Sequence, residues 1–153
     1  MKKITFDEIE VQNFLSFGND PIKFIFEKGI HFVSGYNLDL KSKNGVGKTT
    51  LFVEAPHFAL FGETYRDINL KHIVHDKMKK GQECRVRLRF TVNGQQYEVI
   101  RGLQPSVLTL RKIVEGEVIE TEQDKTRTIN ETKKDILDIL GMTGNHQTVN
   151  HCK

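Results

Sequence analysis

Hydrophobic residues fall at every second position over 84–92. Cys84, Val86, Leu88, Phe90 and Val92 share one face, and Arg85, Arg87 and Arg89 share the other. A period of two predicts a half-buried strand. Asn93-Gly94 is a strong hairpin signal and returns the chain over 96–101, with Tyr97 and Val99 on one side. Gly102 to Pro105 breaks that strand, and a second hairpin over 107–114 and 117–121 turns at Glu115-Gly116. Nearer the start, Ile4 and Phe6, then Ile9 and Val11, alternate loosely, which predicts a first strand bulged near Asp7-Glu8. A turn-rich connection over 13–20 leads to Pro21 and a second strand in which Ile22, Phe24 and Phe26 share a face. Glu27-Lys28-Gly29 reads as a turn, and Ile30 to Ser34 as a buried strand.

The period then changes. Leu51, Phe52, Ala55, Phe58 and Ala59 recur at three- and four-residue spacing, which predicts a helix from Lys48 to a stop at Gly62. Pro56 removes one helical hydrogen bond and clashes with the preceding turn, at a cost of about 3 kcal/mol. A kink, or a helix held by burial, is expected there. Glu63 to Lys80 is polar and weakly periodic, a loop with a short helix anchored by Ile68, Leu70, Ile73 and Val74. Thr128 and Glu131 form a capping box. The helix they start turns Ile136, Leu137 and Leu140 inward and stops at Gly141. Beyond it the pattern dissolves into a polar run.

Composition narrows the class. The chain of 153 residues, 37% hydrophobic and 28% charged, can form one domain with a real core. No apolar run approaches the roughly 20 residues that span a bilayer, and no membrane partner is expected. The N-terminus turns acidic at once and shows no secretory signal. Cys84 and Cys152 lack metal-ligand spacing and read as reduced thiols in a cytoplasmic chain. His72, His75, His146 and His151 show no ligand spacing, and His31 reads as a core histidine of its strand. The net charge of +3 is compatible with nucleic acid but too mild to argue for it. Arg85, Arg87 and Arg89 are either a solvated sheet face or a stripe for DNA phosphates, and the first reading is favoured. Lys77, Lys79 and Lys80 read the same way, as an ordinary solvated charge run.

The candidate chemistry sits at Gly35 to Thr50. Ser42 to Thr49 reads SKNGVGKT, a phosphate-binding loop with serine in the place of its first glycine. The insertion from Tyr36 to Lys41 leaves room for Gly35 to share that glycine's role. Gly45 and Gly47 let consecutive N–H groups point into one concavity, and the helix N-terminus adds unpaired amides. Lys48 supplies a full charge for the outer phosphates, Thr49 a hydroxyl for Mg²⁺, and Thr50 a bond to an inner phosphate. The bland alternative is a glycine-rich turn before a lysine, which the strand and helix on either side disfavour.

Several segments together carry a family resemblance. They are Asn13-Phe14-Leu15-Ser16-Phe17, the NGVGKTT loop, Phe58-Ala59-Leu60-Phe61-Gly62, Tyr65-Arg66-Asp67, and Tyr97 to Gly102 with Pro105. Over about residues 4 to 142 the chain resembles the N-terminal half of the head domain of SMC-type repair ATPases. Within them it is most similar to SbcC-like exonuclease subunits and their bacteriophage relatives, the recombination endonuclease subunits. The resemblance implies an α/β fold, the N-terminal lobe of a P-loop ABC-type ATPase head. That lobe carries mixed and antiparallel β hairpins and a central P-loop helix. It implies two heads that sandwich ATP and Mg²⁺, and a metallophosphoesterase (SbcD-like) nuclease to which ATP-driven closure admits double-stranded DNA ends. By position, Asn44, Gly45, Val46, Gly47, Lys48, Thr49 and Thr50 would hold the phosphates and metal, with Thr49 on Mg²⁺. Asn13 and Ser16 would lie beside the adenosine, and Arg101 matches a structural arginine. Leu15 stands where relatives often carry an arginine, so that contact is lost.

Relatives continue past the last helix into an apolar segment and a Mg²⁺-sensing glutamine. Here residues 143–153 are polar, and Gln147 comes too early. The coiled coil, signature motif, acidic pair and switch histidine of the second half are missing. The expectation is a lobe over 1–142 and a truncated or disordered tail over 143–153, the product of truncation, fragmentation or splitting. Such a chain would bind ATP without efficient turnover, in the host cytoplasm if phage-encoded. The alternatives are a stand-alone P-loop protein of another class, or an ATP-independent lobe that binds DNA or the nuclease.

Overall fold

The alternating strands pair into one sheet of six, in the order β2-β1-β3-β4-β5-β6. The structure, a computed structural model, describes residues 2–36, 47–119 and 126–142. The strands are β1 (Ile4–Gln12), β2 (Ile22–Ile25), β3 (Cys84–Val92), β4 (Gln95–Leu103), β5 (Val107–Val114) and β6 (Glu117–Ile119). Every pairing is antiparallel, so of the expected hairpins only the antiparallel kind occurs among the described residues. The register of β1 on β3 slips between Phe6 and Glu8, which places the predicted bulge at Asp7.

Alternation decides which face is dry. In β3 the five even-numbered residues are buried and the odd-numbered ones half-buried. The dry face packs on two helices, α1 (Ala55–Phe61) across β3 and β4, and α2 (Ile129–Leu140) against β5. Phe14 and Phe58 meet with ring centroids 5.3 Å apart, and Phe24 meets Phe52 edge-on at 4.9 Å. Full burial, as of Phe14 and Phe58, contributes about 1.5–3 kcal/mol per ring, and the partly buried Phe24 and Phe52 contribute less. The predicted capping box is formed, with Thr128 Oγ1 accepting from the Glu131 N–H and the Glu131 carboxylate accepting from the Thr128 N–H. Lys2 Nζ donates to the carbonyls of Asp138 and Ile139, which ties the N-terminus to the far end of α2.

Three expectations need correction. The segment from Ile30 to Ser34 is not a buried strand. It pairs with no strand among the described residues, and Ile30 and Phe32 are 104% and 94% exposed. Alternating apolar residues become a strand only where a neighbour offers a ladder, and the described sheet ends at β2 on that side. His31 is accordingly exposed, its Nε2 bonded to the Glu27 carbonyl at 2.8 Å, and is no core histidine. Leu70, expected as an anchor, is 50% exposed in a short 3-10 turn (Leu70–His72), while Ile73 beside it is fully buried.

Candidate functional site

The phosphate-loop helix begins at Lys48 and widens at once. Thr50 to Glu54 form a π-helical turn, closed by the Ala55 N–H on the Thr50 carbonyl, and α1 follows without a break. Pro56 explains the widening. It has no N–H to give and needs space for its ring against the preceding turn, and a five-residue turn supplies that space. Pro56 itself is buried, so wide turn and burial together meet the expectation of a kink or compensation.

Gly47 marks where the loop enters the helix. It has a φ of +80°, and its carbonyl accepts the Leu51 N–H at 2.9 Å. A Cβ added here would lie 3.0 Å from the Phe17 ring and 3.2 Å from Ser16 Oγ. Both the backbone sign and the close approach therefore demand glycine. The same contact brings the turn after β1 against the phosphate loop, so Ser16 and Gly47 are neighbours. Lys48 and Thr49 are exposed at the helix N-terminus, and neither side chain bonds a described group. Thr50 is buried. A cation and a hydroxyl without a bonded partner among the described residues, at a helix N-terminus beside a glycine held in positive φ, fit a triphosphate with its Mg²⁺. Asn44, Gly45, Val46 and Ser42 lie outside the described residues, as do residues 143–153.

Asn13 is 1% exposed with φ +49°. Its amide nitrogen donates to Asn19 Oδ1 at 3.1 Å and to the Glu83 carbonyl at 2.8 Å, so the side chain fixes the turn. Among the described residues no group of three acidic, histidine or cysteine side chains is placed to hold a metal, and no helix is long and apolar enough to cross a membrane.

Two buried charges hold the helix. Glu54 is fully buried and accepts from Arg66 Nε, and Arg66 lies in the loop after α1. Glu54 falls between buried Leu51 and Phe58 on the helical wheel, the pattern by which the sequence could have revealed it. Arg101 on β4 is 6% exposed; its Nε donates to the Ala59 carbonyl at 2.9 Å and its Nη2 to the Leu60 carbonyl at 3.2 Å. It closes the end of α1, where a Cβ on Gly62 would meet it at 2.7 Å. Burial pushes its pKa down to about 10, so it remains a cation at neutral pH.

The arginine stripe turns out to be spoken for. Arg87 donates to Glu8 at 2.9 Å and to Glu10 at 2.8 Å, Arg89 to Glu98 at 2.8 Å, and Arg85 reaches Glu10 at 3.5 Å. Lys23 from β2 closes on Glu8 at 2.8 Å, and Arg111 from β5 stands 3.7 Å from Glu98. The bond to Glu98 raises the pKa of Arg89. The arginines thus lie on the outer, part-exposed face of the sheet, as the favoured reading expects, and pair with carboxylates there in an ion-pair ladder.

Compared with known proteins, the chain matches the AAA domain family over residues 8–152. It belongs to that family. It is 33% identical over 131 residues to the DNA double-strand break repair Rad50 ATPase of Sulfolobus acidocaldarius, covering 85% of this chain and 13% of that protein. It is 30% identical over 110 residues to exonuclease subunit 2 of Escherichia phage RB69, covering 72% of this chain and 18% of that one. The chain thus spans under a fifth of the length of these curated relatives. A solved structure concerned with ATP-driven dimerization and DNA stimulated activation of SMC ATPases superposes with a TM-score of 0.55 at 18% identity, over 90% of this chain and 78% of that one. The recombination mediator RecF with ATP superposes at 0.50 and 18% identity, over 82% and 31%. The fold is therefore that of an incomplete P-loop ABC-type ATPase head of the SbcC/Rad50-like, N-terminal kind.

Proposed function

We propose that the chain is the ATP-binding lobe of a DNA recombination and repair ATPase that works with a nuclease subunit. The observation that carries this is the group at the helix start, Gly47 in positive φ against Phe17 with Lys48 and Thr49 exposed and bonded to no described group. The family match and the Rad50 and phage subunit relatives support the DNA-processing context. In this reading Asn44 to Thr50 wrap the phosphates, Lys48 neutralises the outer ones, and Thr49 takes Mg²⁺. Ser16 borders the adenosine through the turn that touches Gly47, and Asn13, buried, takes part by holding that turn in shape. Mg²⁺, when bound, would supply charge neutralisation for the phosphates. The chain's own part is to bind and orient. Efficient hydrolysis needs a positioned water and opposing charge from elsewhere, so turnover by this lobe alone is slow.

The exposed Ile30 and Phe32 fit a lobe that docks on further protein, either the rest of its head or a second head. Gating of double-stranded DNA ends to an SbcD-like metallophosphoesterase and a cytoplasmic setting belong to the same proposal. Photolabelling with 8-azido-ATP and Mg²⁺ tests the site. Label on the peptide spanning Asn13 to Phe17, competed by ATP, is the expected result. Label scattered over the sheet with no competition would reject the adenosine placement.

A further inference from the structure

Glycine solves one problem in the phosphate loop and creates another. Gly47 takes φ +80° at no steric cost, but glycine populates both signs of φ about equally. Nothing in its own chemistry keeps it in the form that leads into the helix. Ordering one backbone residue costs about a factor of ten in an equilibrium, so a glycine left free would weaken phosphate binding by about that much. A neighbour can supply the missing constraint, and one is in place. Cζ at the tip of the Phe17 ring lies 3.0 Å from where a Cβ of Gly47 would stand, with Cε2 at 3.4 Å.

Phe17 can act as a stop only if it is itself fixed, and the turn that carries it is fastened on several sides. Within the turn, the Asn13 N–H donates to the Gly18 carbonyl at 2.8 Å and the Phe17 N–H to the Phe14 carbonyl at 2.9 Å. Toward residues 73–83, the Leu15 N–H donates to the Ile73 carbonyl at 2.6 Å and the buried Asn13 amide to the Glu83 carbonyl at 2.8 Å. The His75 N–H returns to the Asn13 carbonyl at 2.9 Å. Toward the helix, fully buried Phe14 packs on Phe58. Asn13 and Leu15 hold φ of +49° and +50°, which non-glycine residues keep only where the surroundings impose it. The turn thus meets one helix at two places, through Phe14 toward its end and through Phe17 at its start.

From this we propose that Phe17 is a positioning residue of the nucleotide site. Its ring blocks Gly47 on one side. It thereby holds the Gly47–Lys48 peptide, and Lys48 and Thr49 after it, in the arrangement that receives phosphate. It acts through the loop and not on the base. The inference rests on the nucleotide-binding reading and adds the residue that fixes the loop's geometry.

The test is calorimetric titration of wild type, Phe17→Leu and Phe17→Tyr with Mg²⁺-ATP and, separately, with Mg²⁺ and inorganic tripolyphosphate, which has no base. Leucine keeps the apolar stem of this half-buried side chain and loses the tip that meets Gly47. It should weaken both ligands by the same factor, about tenfold. Tyrosine keeps the ring and its packing but adds an oxygen at Cζ, against Gly47, and should weaken both ligands too. The control Phe26→Leu, in a half-buried ring that packs on Phe24 and Phe52, should leave both affinities unchanged. Loss of ATP affinity with tripolyphosphate affinity intact would overturn the inference, because the ring would then serve the base. Wild-type affinity for ATP in both Phe17 variants would overturn it too and leave the nucleotide site standing. A wild-type chain that binds neither ligand rejects the nucleotide reading and this inference with it.

Discussion

Replacing Arg101 by methionine asks whether a buried cation without a carboxylate can hold the phosphate-loop helix. Burial pushes its pKa down to about 10, which weighs about 3 kcal/mol against the charged form in the fold. The two bonds to the Ala59 and Leu60 carbonyls return about 1.5–3 kcal/mol each, because the donor is charged and the acceptors are otherwise dry. The Phe58 ring, 6.0 Å from the guanidinium carbon, adds a smaller attraction. Methionine keeps much of the stem and removes both the penalty and the bonds, so the balance predicts a loss of about 2 kcal/mol. For a chain of this size that is a Tm drop of about 4–8 °C. Arg101→Lys should cost no less, since it keeps the burial penalty and loses the two-pronged geometry. Urea and thermal unfolding followed by circular dichroism measure both variants. A methionine variant as stable as wild type, or more so, would refute the reasoning, because burial would then outweigh the two bonds.

Removing Arg66 strands the buried Glu54 carboxylate, so Arg66→Ala should cost about 2 kcal/mol, below the value for a fully buried pair because Arg66 is half exposed. Adding Glu54→Gln should recover part of that loss in a double-mutant unfolding cycle, and strict additivity would count against the pair. Cys84 is 1% exposed and burial pushes its thiol to about 11. In a Cys152→Ser background it should resist Ellman's reagent at neutral pH until urea unfolds the chain, and rapid labelling of the native protein would contradict this. The backbone and hydroxyl of Thr128 hold the Glu131 carboxyl below the usual carboxylate range. Its contribution is then full above that range and lost as pH falls through the lowered value. The Tm gap between wild type and Glu131→Gln should therefore narrow from neutral pH toward about pH 3, within the carboxylate titration range.

The antiparallel sheet was legible because its signals are local. The even positions of β3, the Asn93-Gly94 turn and the Thr128 capping box each depend on residues close in sequence, and each formed. The bulge at Asp7 showed in the same way, as a slip in the alternation of β1. The strand read at Ile30 to Ser34 failed because a ladder needs a partner, and no local pattern states whether one is present. The outward face of the arginine stripe was legible, but its ion-pair partners were not, for a related reason. Its partners Glu8, Glu10 and Glu98 lie on neighbouring strands, and only the register of β1 and β4 on β3 brings them opposite. At the candidate site, the motif led into a helix at Lys48, and Lys48 and Thr49 do stand exposed at a helix start. The contact of Phe17 and Ser16 with Gly47 was not, because it joins residues thirty positions apart across a turn.

The central claim is that this lobe binds a nucleoside triphosphate through the loop ending at Lys48 and Thr49. The most direct measurement is equilibrium binding of Mg²⁺-ATP to the purified chain and to Lys48→Ala, with phosphate release recorded in the same samples. The account predicts saturable binding to wild type and at least tenfold weaker binding to the variant, a difference of about 1.4 kcal/mol or more. It also predicts phosphate release barely above the buffer rate. Equal affinity in the two proteins would contradict the site, and steady turnover by the wild-type chain alone would contradict the reading of an incomplete head.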